Sequence, residues 1–293
     1  MAAAKVGAPT PRLRVPSSME QVSKLTRYQL REYLRSRRFV ALVAIVLVIG
    51  AILTGLVAHF RGALVLDNLS FYGTFWGGGA DIVIVLAAVF FGGDAIAGEF
   101  QNKTGYFLMG LPVRRATVYV GKFIAAFLAS VAMMLLFLAI LLGNAVYYFH
   151  ANALPWQLAP SLVLALVYLA AVLGATFLFS SLFKTSAYGF VLTAILYLFG
   201  FSILAEVITD LVKIEPWMII SYASSTIGSV FSPSVNWGIV GTVAHTTVTL
   251  RGGGTITTTT YTAGIAEGIV IMIGYLVVTA ATGLWMFERE EFT

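Results

Sequence analysis

The sequence predicts an all-α integral membrane protein. Its parts are six transmembrane helices, an N-terminal interfacial helix, a short cytoplasmic helix and a small external β-hairpin. Three observations lead there. Of 293 residues, 59% are hydrophobic and 11% charged, with a mean hydropathy of +0.91, whereas charged residues make up about a quarter of a soluble domain. Several uncharged stretches approach or exceed the roughly 20 residues a helix needs to cross a bilayer. Lys and Arg gather on alternate connections between those stretches.

Residues 1–16 are Pro- and Ala-rich and read as a disordered tail. The first apolar run starts only at Phe39, so the N-terminus lacks the layout of a cleaved signal peptide. Residues 17–38 form a separate element. Ser17 followed by Glu20 makes a capping box that starts a helix. Lys24, Arg27, Arg31, Arg35 and Arg38 then recur at intervals of three and four, opposite Met19, Val22, Leu25, Leu30 and Tyr33. A cationic face against an apolar face is the pattern of a helix lying in the headgroup plane. A basic cluster that only sets topology is the alternative.

The six spans, in order, are Phe39–Ala58, Ile82–Gly98 (containing Asp94), Val118–Tyr148, Ser161–Phe183, Tyr188–Ile208 and Gly264–Phe287. Nine basic residues precede the first span. Lys103, Arg114, Arg115, Lys122, Lys184 and Arg289 join them on the same side, leaving only Arg61, Lys213 and Arg251 opposite. The positive-inside rule then puts both termini and the 98–117 connection in the cytoplasm, with 61–80, 149–160 and 209–263 external. Residues 39–288 are thus one six-span domain.

The passage 94–122 interrupts the apolar runs with Asp94, Glu99, Thr104, Gly105, Pro112, Arg114, Arg115, Gly121 and Lys122. Helical spacing from Glu99 to Leu111 predicts a short amphipathic helix with Phe100, Phe107, Leu108 and Leu111 on its apolar side. Pro112 cannot sit deep in a continuing helix and turns the chain back toward the membrane. A plain re-entrant turn with snorkelling arginines is the alternative. Asp94 and Glu99 are expected to pair with Arg114, Arg115 or Lys122 and hold this knuckle together. Glu206 and Glu267 fall near the outer ends of the fifth and sixth spans, as pathway or gate groups or as merely solvated acids.

The outer stretch 209–263 has two parts. Pro216 to Phe231 is aromatic-rich and suits a short helix or a re-entrant pair. Residues 243–262 place β-branched runs either side of Gly252–Gly254, a hairpin signal; a disordered Thr-rich loop is the alternative. An isolated hairpin is marginal in water, so it should rest on 216–231 or on a partner.

There is no cysteine, no GxxxxGK[ST] phosphate loop, no HExxH and no GxSxG in the chain. The histidines His59, His150 and His245 are far apart in sequence. Hydrolase chemistry has no support here.

The layout and the 94–122 passage resemble the ABC-2 type permeases, membrane subunits of ATP-binding cassette transporters. That family places Glu at the end of the second span, then Thr, Pro and Arg, and Gly-Lys opening the third. Glu99, Thr104, Pro112, Arg115, Gly121 and Lys122 stand at the matching positions and spacings. One departure is Lys103-Thr104-Gly105, where the family usually has Gly before Thr. The resemblance implies that residues 17–38 are an elbow helix. It also implies that 98–117 is a coupling helix docking on an ATPase, with Glu99, Thr104, Gly105, Phe107, Pro112, Arg114, Arg115 and Lys122 as coupling residues. The implied partners are ABC ATPase subunits, which hold ATP and Mg, a second permease copy or paralogue, and membrane lipids, with no nucleic acid. The implied activity is export across the cell membrane; a non-transporting subunit that passes ATP-driven motion to an external partner is the other reading.

Overall fold

The computed structural model of the protein describes residues 17–64, 67–102, 113–150, 153–183, 185–249 and 255–289. Six helical segments in it are long and apolar enough to cross a membrane.

The chain opens with α1 (Ser18–Arg35) and α2 (Arg37–Leu64), the first span. Ser17 caps α1 as the sequence expects, its hydroxyl accepting the Glu20 N–H at 3.4 Å. The expectation of one element over 17–38 is corrected. Ser36 is extended (φ −76°, ψ 147°), its hydroxyl donates to the Tyr33 carbonyl at 2.7 Å, and it accepts the Phe39 N–H at 3.1 Å. This side chain competes with the helix for backbone groups and breaks it, so Arg38 belongs to the first span.

The second span is a composite: α3 (Asn68–Phe71), a π-helical turn (Tyr72–Trp76), α4 (Gly77–Gly92), the turn 93–96 and α5 (Ala97–Gln101). Its start at Asn68 corrects the expected external loop 61–80. Polar residues and three consecutive glycines lower the local hydropathy, yet Phe71, Tyr72, Phe75 and Trp76 are buried there. Close approach explains two of the three glycines. A Cβ on Gly77 would stand 2.6 Å from the Gly228 Cα, and one on Gly79 would stand 2.5 Å from the Phe137 ring. Small residues at such points let membrane helices pack by direct backbone approach.

The third span is α6 (Arg115–Phe149) and the fourth α7 (Leu158–Leu182). The fifth runs through α8 (Ser186–Ile195), a π turn, α9 (Phe201–Val207) and a second π turn, ending at Lys213 in the left-handed region (φ 54°). The short helices α10 (Ile220–Ser224) and α11 (Thr226–Ser229) follow, then β1 (Thr242–Thr249), β2 (Thr255–Thr262) and the sixth span α12 (Ile265–Arg289).

Burial ranks the spans. The second and fourth have 72% and 61% of their most apolar window enclosed, the first, fifth and sixth only 22%, 11% and 17%. Spans two and four therefore form the centre, the third packs on the second, and the sixth lies along the fourth. There Gly174 approaches Thr279 closely and Gly283 approaches Leu178, with Tyr119 of the third span also against Gly283. The spans two and four are bolted by Trp76, whose indole N–H donates to the Ser161 hydroxyl at 2.9 Å. Ser161 donates in turn to the Ile227 carbonyl at 2.6 Å.

The hairpin's expected strands form: β1 and β2 pair antiparallel from Thr242↔Thr262 to Thr249↔Thr255, while the expected turn at Gly252–Gly254 lies outside the described residues. Its base adjoins Tyr222 of the 216–231 stretch, and Tyr261 donates to the Lys213 carbonyl at 2.8 Å, tying it to the end of the fifth span as well.

Candidate functional site

The ends of five spans and α1 meet around the knuckle that closes the second span. At the turn 93–96 the helix loses its own acceptors. The buried Ser180 hydroxyl of the fourth span receives the N–H groups of Ile96 and Ala97, both at 3.0 Å. Lys122, about two turns into the third span and only 5% exposed, donates to the Ala95 carbonyl at 2.7 Å and forms an ion pair with Glu99. An enclosed ion pair holds because the ammonium also meets a carbonyl dipole; without such partners its desolvation would outweigh the attraction.

The other ties run outward. Gln101 accepts the Ser186 N–H at 2.9 Å and its hydroxyl at 2.7 Å, which fixes the start of the fifth span. Arg115 donates to the carbonyls of Phe287 at 3.4 Å and Glu288 at 2.9 Å, a cation at the C-terminal end of the sixth span where the helix dipole favours one. Phe100 and Phe287 meet edge to face at 6.5 Å. Helix α1 lies against the third span rather than against lipid alone, with the Thr26 hydroxyl on the Gly121 carbonyl at 3.1 Å. Tyr33 donates to the Phe91 carbonyl at 2.9 Å. Burial raises the Tyr33 hydroxyl far above its ordinary range, so it remains a donor at any physiological pH. Between α1 and the second span is a cavity of about 540 Å³ lined by Tyr33, Arg38, Asp94, Glu99 and Lys122 among others.

Sequence placed Glu99 and Lys122 together, and they meet. The expected partner of Asp94 is corrected: it pairs with Arg38, which the break at Ser36 swings onto the second span. Arg114 is exposed at the N-cap position of the third span, and Lys24, Arg27, Arg31 and Arg35 are exposed along α1. Met19, expected on the apolar face of α1, is 83% exposed, and all of the helix start at 17–20 is exposed with it. Thr104, Gly105, Phe107 and Pro112, with most of the expected coupling helix, lie outside the described residues. Glu206 is exposed on α9. Glu267 accepts the Gly264 N–H at 3.1 Å and thereby closes the first turn of the sixth span.

One acid escaped the sequence reading. Asp81 lies inside the second span, facing the hydroxyls of Tyr168 and Ser224 at the hairpin end. It stood one residue before the expected start of that span. Extending the run back through the glycines to the aromatic cluster at 71–76 would have exposed it as an intramembrane carboxylate.

A family model described as ABC-2 family transporter protein matches residues 25–292, nearly the whole chain. No curated protein matches the sequence.

Proposed function

Because the chain belongs to the ABC-2 family of transporter proteins, and is therefore the membrane subunit of an ABC transporter, we propose that it exports cargo using ATP hydrolysed by a separate subunit. The single observation that carries the coupling role is the knuckle network. Glu99, Lys122, Ser180, Gln101 and Arg115 link the end of the second span and the start of the third to each other and to the fourth, fifth and sixth spans. A partner that displaced residues 97–115 would move all of these ends together, because each tie is a direct hydrogen bond or ion pair.

The basic residues favour a cytoplasmic knuckle, the side on which a cytosolic ATPase works. No phosphate loop occurs in the sequence, in keeping with ATP and Mg being held by that subunit. Two copies, or this chain and a paralogue, complete the transporter: the first, fifth and sixth spans are too little enclosed to close a pathway alone. Cargo that is amphiphilic, lipid-like or peptidic suits walls so poor in polar groups. Affinity purification of the tagged chain from its own membranes tests the reading. An ATPase subunit at equal stoichiometry, with two copies of the permease position, is the expected result; a chain that purifies alone and transports without ATP refutes it.

A further inference from the structure

The pocket around Asp81 takes no part in the knuckle network and sits at the opposite end of the second span. Its volume is about 400 Å³, and its wall includes Gly77, Gly78, Asp81, Ser225, Ser229 and Thr262. Asp81 Oδ1 is enclosed and has no hydrogen-bond partner among the described residues; the Tyr168 and Ser224 hydroxyls face the carboxyl group but bring no charge to it, and part of the residue still faces the cavity. No Lys or Arg lines the wall among those residues. A carboxylate enclosed in low dielectric without a cation is strongly disfavoured.

The hydroxyls point the same way. Ser224 donates its proton to the Ser221 carbonyl at 2.8 Å, Ser225 to the Tyr222 carbonyl at 2.7 Å, and Ser229 to the Thr226 carbonyl at 3.2 Å. Each hydroxyl has one proton, so all three present only lone pairs to a ligand. The glycines add bare backbone and no side-chain donor. The hairpin end also carries six acids (Asp67, Asp81, Glu206, Asp210, Glu215 and Glu267) against three basic residues in the sequence, a balance that draws cations toward it.

We propose that this pocket binds a protonated primary amine, with Asp81 as counter-ion and the serine oxygens accepting its remaining N–H bonds. An ammonium group offers three donors and no acceptor, the complement of a wall made of acceptors. The pocket's chemistry stands whether or not the chain exports cargo, and binding alone is what the test reads.

The chain has no native cysteine, and a Cβ at Gly78 meets open space on the pocket wall, so Gly78→Cys gives a clean reporter. Its alkylation by a maleimide is followed in phosphatidylcholine nanodiscs with n-butylammonium chloride, with n-butanol, or with sodium chloride at matched strength. Butylammonium is expected to slow alkylation about tenfold or more relative to the other two, and Asp81→Asn in the same background to erase the difference. Equal slowing by butylammonium and butanol, or by sodium, overturns the proposal, as does full protection in a folded Asp81→Asn protein. The ammonium–alcohol comparison needs no Asp81 variant and decides even if that variant fails to fold. Phosphatidylethanolamine discs distinguish the source. Slowing there without added amine identifies a lipid headgroup, slowing only by butylammonium identifies an aqueous amine, and slowing by neither overturns the site.

Discussion

At the scale of the residue, the Glu99–Lys122 pair shows how much a membrane interior asks of a charge. Lys122 is almost wholly enclosed, and its ammonium is held by one carboxylate and one carbonyl. Lys122→Met should strand Glu99 and cost about 3–5 kcal/mol of stability, whereas the double change Glu99→Met with Lys122→Met should recover most of it; chemical unfolding in detergent measures both. Ser180→Ala should cost about 1–3 kcal/mol, because two buried N–H groups lose their acceptor in the same step. The Glu99–Lys122 pairing was legible, since a short loop had to return Lys122 toward Glu99. The Arg38–Asp94 pair was not. It depends on the hydroxyl of Ser36 breaking a helix whose charge periodicity ran on unbroken through that point.

At the scale of the element, long apolar runs gave the spans, and their ends moved by only a few residues where nothing polar intervened. The exception is the second span. Residues 68–80 read as a loop because glycine and polar residues lower hydropathy, and tertiary approaches such as that of Gly228 to Gly77 explain why glycine is there. That contact lies 151 positions apart in sequence and leaves no local pattern. It yields a sharp contrast: Gly77→Leu must displace backbone and should destabilise the protein by about 1–3 kcal/mol, while Gly78→Ala next to it, facing open space, should be nearly silent in the same unfolding assay. Asp81 was hidden with this segment. The two strands of the hairpin were legible from their β-branched runs.

At the scale of the whole molecule, charge and burial divide the protein into a basic end bearing the knuckle and an acidic end bearing the hairpin. The absence of cysteine makes orientation testable: single cysteines at Ser70 and Thr258 should react with an impermeant maleimide on intact cells, and one at Thr104 should not. The loosely enclosed first, fifth and sixth spans leave faces for lipid or a second copy to cover. The claim that joins these parts is that the knuckle transmits ATP-driven motion to the spans. It is tested most directly by measuring subunit stoichiometry and ATP turnover in complexes purified through the chain, with wild type set beside Glu99→Ala and Arg115→Ala. The account predicts that each variant still elutes as a folded membrane protein but either releases the ATPase subunit or loses cargo-stimulated hydrolysis. Normal stoichiometry together with full stimulated turnover in both variants would contradict it.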